Sequence, residues 1–370
     1  MKPFDLFKVK KFFAVGVSCA AAIFLFLQPV TACSWDYFIW QNREKNSDPY
    51  YRFVEKGKVG YIDQTGKIVI KPTLTEYGNY QRGVISGALA KEYDEFIDFK
   101  TGEEVSPEAY YRKANLSDGL IKEKFEDKFG FIDIGGKTII EPAFVFAKDF
   151  NEGFAPVVVE GPCFYYNVEA ACPGDAVFPY SPNTAPTEAC KFNFIDKTGK
   201  LISKQTFLDI KDFSEGRAPV RTPEGWGYID KTGKIVIAPQ FENAQTFSDG
   251  LALVKVGELY GFIDASGAFV IKPQFKSAEN FANGLAPVGE YGAETVNNKF
   301  YYIDKKGNRP TKDTFLLASH FFKGIAHVLL SETFKNEIKD GEESEIRTQT
   351  FAYINQKSEK IFVYTVEDRM

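Results

Sequence analysis

An Ile-Asp pair followed by a glycine turn recurs along this chain, at Ile62-Asp63, Ile97-Asp98, Ile132-Asp133, Ile195-Asp196, Ile229-Asp230, Ile263-Asp264, Ile303-Asp304 and, with asparagine in the second place, Ile354-Asn355. Successive copies lie 35, 35, 63, 34, 34, 40 and 51 residues apart. The spacing reads as one unit of about 34 residues interrupted three times, and a fixed period of that length is the signature of a repeat array. Such a unit cannot bury its apolar face alone, so neighbours must stack to make a core.

Aligned on the Ile-Asp pair, the copies share a frame best seen in residues 249–284. A first strand, LALVKV, corresponds to APVVV at 155–159 and APVRT at 218–222. A second, YGFID, corresponds to VGYID at 59–63, FGFID at 129–133 and WGYID at 226–230. A third, FVIKP, corresponds to the segments ending at Pro72, Pro142 and Pro239. Between the second and third stand Asp63-Gln-Thr-Gly66, Asp196-Lys-Thr-Gly199, Asp230-Lys-Thr-Gly233 and Asp304-Lys-Lys-Gly307. Aspartate opens such a turn by bonding its own backbone and glycine closes it by accepting positive φ, which predicts a short hairpin loop. Pro72, Pro107, Pro142, Pro239 and Pro273 each fall nine residues after the repeat aspartate and end the third strand, since proline donates no ladder bond.

The connector has the pattern Phe241-x-x-Ala244-x-x-Phe247-x-x-Gly250, repeated from Phe144 and from Phe275. Apolar residues three apart predict a helical turn or a tight irregular coil, with the phenylalanines as glue between units. The expected fold is therefore all-β: tandem three-stranded antiparallel meanders stacked as an open, solenoid-like array. A propeller blade usually takes four strands and about 40–45 residues, so a closed propeller-like ring of seven or eight short blades is the alternative.

The unit WGYIDKTGKIVIAPQFENAQTFSDGLALV resembles the WG-repeat family of bacterial β-repeat proteins, also called KWG repeats. The resemblance runs from about Tyr50 to the C-terminus. Only Trp226-Gly227 is literally Trp-Gly; Tyr260-Gly261, Phe129-Gly130 and Val59-Gly60 are looser, and Phe192-Asn193 and Tyr301-Tyr302 lack the glycine. The family has no shared activity or cofactor, so membership implies an interaction or surface role.

Lys2, Lys8, Lys10 and Lys11 precede an apolar run from Phe12 to Leu27, and small residues lead to Cys33. That order is a secretory signal, and the run is short of the ~20 residues a membrane span needs. Val30-Thr31-Ala32-Cys33 resembles a bacterial lipobox, which implies lipidation of Cys33 and a membrane attachment through an N-terminal lipid anchor; an ordinary cut before Cys33 is the other reading. The expected organisation is a signal peptide over 1–32, a linker over 33–49 and about eight units over 50–370, interrupted at 161–191, 289–299 and 331–350. The full chain carries a net charge of −5, and loss of four lysines and Asp5 with the signal leaves −8. Such a chain repels nucleic acid, so none is expected as a partner.

The repeat aspartate tempts an enzymatic reading, because paired carboxylates hydrolyse glycosides. The same aspartate starts the same turn in seven units, which a turn explains and catalysis does not. His320 and His327 occupy slots that other units fill with Asp149, Asp212, Thr246 and Asn280, or with Pro156, Pro219, Leu253 and Pro287. With no phosphate loop, nucleophile elbow or closely spaced Cys/His set, the expectation is no catalytic residue, no cofactor and no metal.

The three interruptions all fall between a first and a second strand, hence along one edge, and insertions on a common face of a repeat array often mark the binding face. The first holds Cys163, Cys172 and Cys190, with Tyr165, Tyr166 and Tyr180 available for contact; Trp226 is a further contact candidate. Cys163 and Cys190 stand at the base, where the flanking strands run antiparallel, and are expected to pair. The third, around Asp340-Gly341, reads as an extended solvated hairpin. These readings point to an exported, membrane-anchored, non-enzymatic repeat protein of the bacterial envelope that binds an envelope protein or polysaccharide. The alternatives are an envelope hydrolase using Glu169 and Asp175 in the first interruption, or a structural spacer.

Overall fold

The computed structural model describes residues 51–75, 88–91, 95–98, 104–105, 115–161, 190–292, 297–339 and 342–369. They form eight small antiparallel sheets, one per repeat, in chain order. Unit 6 shows the plan: Ala252–Val256, Leu259–Ile263 and Phe269–Phe275 pair as a meander. The loop between its last two strands is the expected turn. Asp264 Oδ1 accepts from the Ser266 amide (2.8 Å), the Ser266 hydroxyl (2.6 Å) and the Ala268 amide (3.1 Å), and Gly267 takes φ 87°. Asp63, Asp196 and Asp230 do the same with a threonine, and Asn355 builds the turn from its amide oxygen, so the repeat position needs an acceptor rather than a charge.

The connector departs from expectation. It is neither helical nor coil but a fourth, bulged strand flanking the first. In unit 6 the amides of Glu242, Gln245 and Ser248 donate to the carbonyls of Lys255, Leu253 and Leu251. The connector thus advances three residues for every two on its partner. Units 5 and 8 repeat the step with Leu208, Lys211 and Ser214, and with Leu316, Ser319 and Phe322. The residue before each donor turns into the core, as Phe241, Ala244 and Phe247 do, all buried. A period of three is therefore compatible with a strand that bulges at every step, because the extra residue in each bulge resets the alternation of faces.

After its third inward residue the connector closes a tight hairpin to the first strand. Glu152-Gly153, Glu215-Gly216, Asp249-Gly250, Asn283-Gly284 and Lys323-Gly324 all have both φ values positive, as a type I′ turn demands. The leading side chain clasps the next unit's turn. Asp118 accepts from Gly153 N, Glu152 from Gly216 N (2.9 Å), Glu215 from Gly250 N (3.0 Å), Asp249 from Gly284 N (2.6 Å) and Asn283 from Gly324 N (2.9 Å). Lys323 occupies the acceptor position in unit 8, where it has no oxygen to offer.

Neighbouring units pack by a second rule. The glycine of each turn after the second strand sits against the preceding unit's third segment: Gly199 on Ile140, Gly233 on Ser203, Gly267 on Ile237 and Gly307 on Ile271. Gly66, in unit 1, sits in the same way on Ile361 of unit 8. Tyr51 packs at a tilt on Tyr353 with ring centroids 5.3 Å apart and donates to the Phe322 carbonyl at 3.1 Å, Tyr353 donates to the Arg52 carbonyl, and Phe53 packs on Phe362. The tandem meanders are as the sequence predicts, and these contacts bring unit 1 against unit 8. Side chains on one connector strand reach the next directly, as Lys211 reaches Asn243 and Gln245, so these strands form the inner row, where units stand closest.

Candidate binding face at the interrupted units

The glycine of the Trp-Gly pair governs whether a unit has its third strand. A Cβ on Gly130, Gly227 or Gly261 would lie 2.5–2.7 Å from the carbonyl ten residues on, and within 2.9 Å of the nitrogen of the proline two residues beyond that. Only glycine lets the proline-bulged strand approach so closely. Unit 8 has Ala352 there and no proline, and its third strand pairs in plain register, Ala352 opposite Val363. Units 4 and 7 have Asn193 and Tyr301. In unit 4 the third strand is reduced to isolated bridges, and in unit 7 a single bridge, Phe300 to Phe315, remains.

Each of these two units fills the gap with side chains. Asn193, fully buried, donates from Nδ2 to the carbonyls of Ser203 (2.9 Å) and Gln205 (3.0 Å) and accepts from Phe194 N (2.7 Å). Tyr301 carries the Arg309 guanidinium 4.5 Å above its ring, and that guanidinium donates to the carbonyls of Thr311, Lys312 and Asp313. The same two units carry the first and second interruptions. The third interruption extends unit 8 as a long hairpin, Ile325–Lys339 with Glu342–Asn355. In chain order all three join a first strand to a second.

A cleft of about 360 Å³ lies between Lys191 with the third segment of unit 4 and the strands of unit 5. Its floor is Leu208, Ile235, Pro223 and Pro239; Gln205, Thr206 and Thr222 are its polar walls, and Lys191 and Glu224 carry opposite charges. No aromatic side chain lines it. Cys190, buried beside Lys191, is disulfide-bonded to a cysteine outside the described residues.

The sequence-predicted site residues fare unevenly. Tyr165, Tyr166, Tyr180, Cys163, Glu169 and Asp175, and Cys33 with the signal segment, lie outside the described residues. Trp226 is only 6 % exposed, packed among Tyr228, Ile237 and Phe241, so it belongs to the core rather than to a contact surface. Its ring face supports Lys211, whose ammonium lies 4.9 Å from the ring centroid and donates to Asn243 (3.1 Å) and Gln245 (3.0 Å). Burial lowers that ammonium to about 8, and burial raises the carboxyl of Asp209 two residues before it.

The inner row was not foreseen as a polar strip. Because each bulge sends one residue inward and two outward, Lys148 with Asp149, Lys211 with Asp212, Glu279 with Asn280, and Ser319 with His320 all face it. Lys148 pairs with Asp212 at 3.7 Å and His320 with Glu279 at 3.5 Å, each across a unit boundary. His327, by contrast, is stacked among Phe351, Tyr353 and Tyr364 and reaches the Tyr364 hydroxyl at 2.8 Å. Among the described residues no three His, Cys, Asp or Glu side chains gather to hold a metal, and no helix is long and apolar enough to cross a membrane.

Five segments, residues 60–86, 129–161, 194–222, 226–260 and 260–292, match the family model for the WG containing repeat. No curated protein sequence matches the chain significantly. Among solved structures, a eukaryotic initiation factor aligns over 89 % of this chain and 91 % of its own, with 10 % identity and a TM-score of 0.44. The extracellular domain of a protein assigned to the one-component systems of B. thetaiotaomicron aligns over 87 % of this chain but 56 % of its own, with 10 % identity and a TM-score of 0.32. A quinonprotein alcohol dehydrogenase-like protein from Bacteroides thetaiotaomicron aligns over 69 % and 77 %, with 12 % identity and a TM-score of 0.28.

Proposed function

For this chain, which belongs to the WG-containing repeat family, we propose the role of an exported, lipid-anchored, non-enzymatic binding protein that holds a segment of a partner protein at its interrupted edge. The observation that carries the reading is the cleft between units 4 and 5, in the unit where Asn193 replaces the repeat glycine and beside Lys191, which follows the disulfide-bonded Cys190. Its lining favours a peptide over a polysaccharide. An apolar floor with proline, threonine and glutamine walls suits an extended chain, whereas sugar rings are held on aromatic faces that this cleft lacks. The repeat carboxylates have an oxygen committed to their own turns, which speaks against their use in hydrolysis.

Export rests on the charged start, the apolar run and the small residues before Cys33, and the anchor on the lipobox-like Val30-Thr31-Ala32-Cys33. A photo-crosslinking residue at Thr206, compared with one at Ala265 in a turn on another part of unit 6, tests the binding site in envelopes of the native host. A discrete adduct from position 206, lost on deleting residues 162–189, is the expected result. Equal labelling from both positions, or a hydrolytic activity abolished by alanine at Glu169 and Asp175, would overturn it. Fatty-acid labelling with Cys33→Ser as control checks the anchor.

A further inference from the structure

The third interruption leaves part of unit 8 uncovered. In unit 6 the connector flanks the outer edge of the first strand as far as Lys255, whose carbonyl takes the Glu242 amide. In unit 8 that cover ends where Leu316 and Leu317 meet Leu329, while the first strand runs on to Lys339. Residues 331–339 pair with residues 342–350 in unbroken register and, among the described residues, have no strand on their other side. A two-residue loop sets Lys339 opposite Glu342, and the pair that closes such a loop exchanges its backbone bonds within the hairpin. Alternation then aims the amides and carbonyls of Glu332, Phe334, Asn336 and position 338 at the open side. Thr333, Phe334, Lys335 and Asn336 are exposed, Phe334 by 49 %. A long open edge is a template for another strand unless charge, proline or a bulge guards it, and no proline stands in this stretch.

We propose that this edge pairs two copies of the chain, antiparallel about a two-fold axis through Asn336. A second copy is favoured by the residue order Phe334-Lys335-Asn336-Glu337-Ile338, which is complementary to its own reverse. About Asn336, Lys335 of each copy faces Glu337 of the other, and Phe334 faces position 338, an isoleucine. A carboxylate takes several donors, so Glu337 meets the second copy's lysine alongside any bond within its own chain. The neighbouring registers are poorer. Those that keep outward-facing residues opposite one another move the axis to Lys335 or to Glu337, which sets lysine against lysine or glutamate against glutamate, and like charges directly opposite are unfavourable. The complementary register supplies about six backbone hydrogen bonds across the axis and joins the long strands of both copies in one sheet. The contact is isologous, so it closes at two copies, and it uses none of the residues of the cleft between units 4 and 5.

The test follows the full chain in envelopes of the native host, where each variant carries one added cysteine and mild oxidation traps neighbouring copies. Asn336→Cys lies on the axis, its two copies about 5.5 Å apart in a hydrogen-bonded pair and within disulfide reach. Lys335→Cys is out of reach, because its two copies stand diagonally, about 7–8 Å apart. Above the wild-type background, a dimer band at least about tenfold stronger from position 336 than from 335 is expected. In cells holding two differently tagged copies, Lys335→Glu should lower co-purification about fivefold, and adding Glu337→Lys should restore it, since opposite charges face each other again. Both positions lie on the open edge, so circular dichroism should match the wild type. Equal trapping at 335 and 336, no dimer from position 336, an adduct of another size there, or a double variant as weak as the single one overturns the proposal.

Discussion

Units 4 and 5 are neighbours, yet unit 5 has a regular third strand and in unit 4 that strand is reduced to isolated bridges. In unit 5, Gly227 lies under Ile235–Phe241 so closely that any Cβ would strike the Ile237 carbonyl at 2.5 Å. In unit 4, Asn193 takes the glycine's place and its amide bonds the two carbonyls that a strand would have turned elsewhere. One residue thus replaces part of the backbone ladder with side-chain hydrogen bonds. The unit that made the exchange is also the one with the large interruption and the cleft. Loss of regular structure and a concave surface fall in the same unit.

The contrast can be broken from either side. Gly227→Val should expel the third strand of unit 5 and have the largest effect, about 3 kcal/mol, read as a lower denaturation midpoint. A change below about 1 kcal/mol would show that the close approach is not limiting. Asn193→Ala strands the carbonyls of Ser203 and Gln205 and should cost about 2 kcal/mol. If it costs nothing, water replaces the amide and the exchange described above is not what holds unit 4. Tyr228→Phe removes one bond between units, from the Tyr228 hydroxyl to the Gln245 carbonyl at 2.8 Å, and should cost about 1 kcal/mol.

Two smaller effects separate the units by pH. Lys211 of unit 5 has its ammonium lowered to about 8 by burial, so between about pH 8 and the ordinary lysine value near 10.4 the unfolded chain binds more protons. Stability should therefore rise with pH across that window in the wild type, and the rise should shrink in Lys211→Met. Smallest of all is the acid side. Hydrogen bonds from the Thr232 side chain hold Asp230 below the usual aspartate range despite slight opposing desolvation, and Thr198 does the same for Asp196. Their contribution is complete above the unfolded value near 3.9 and fades as pH falls through the folded one; Thr232→Val should flatten that fade, seen in acid titrations of the unfolding midpoint.

Much of this architecture was legible in the chain. The Ile-Asp-turn period sets the units, and Asp-x-Thr-Gly predicts a hairpin that Asp230 and Gly233 build in detail. The connector was misread because a three-residue apolar period belongs both to a helical turn and to a strand bulged at each step, and nothing in Phe241, Ala244 and Phe247 distinguishes them. The contact of unit 1 with unit 8 depends on Tyr51, Phe53, Tyr353 and Phe362 meeting across some three hundred residues, which no local pattern encodes. The glycine absent at Asn193 and Tyr301 was visible, but its meaning required the distance to Pro239 in the units that keep it. Trp226 has the chemistry of a contact residue although its neighbours mark it as core, and the Glu279–His320 ion pair spans 41 residues, which no local pattern encodes.

The contact of Tyr51 with Tyr353 makes the first and last units neighbours in space though they stand at opposite ends of the repeats in the gene. Where the chain starts is then a matter of phase. A circular permutant that joins the region after Arg369 to the region before Tyr51 and opens instead at the Val256-Gly257 hairpin keeps every inter-unit contact described above. Its fold would be the same set of units entered at a different one, with any tether at the N-terminus moved from the seam of units 8 and 1 to the edge of unit 6.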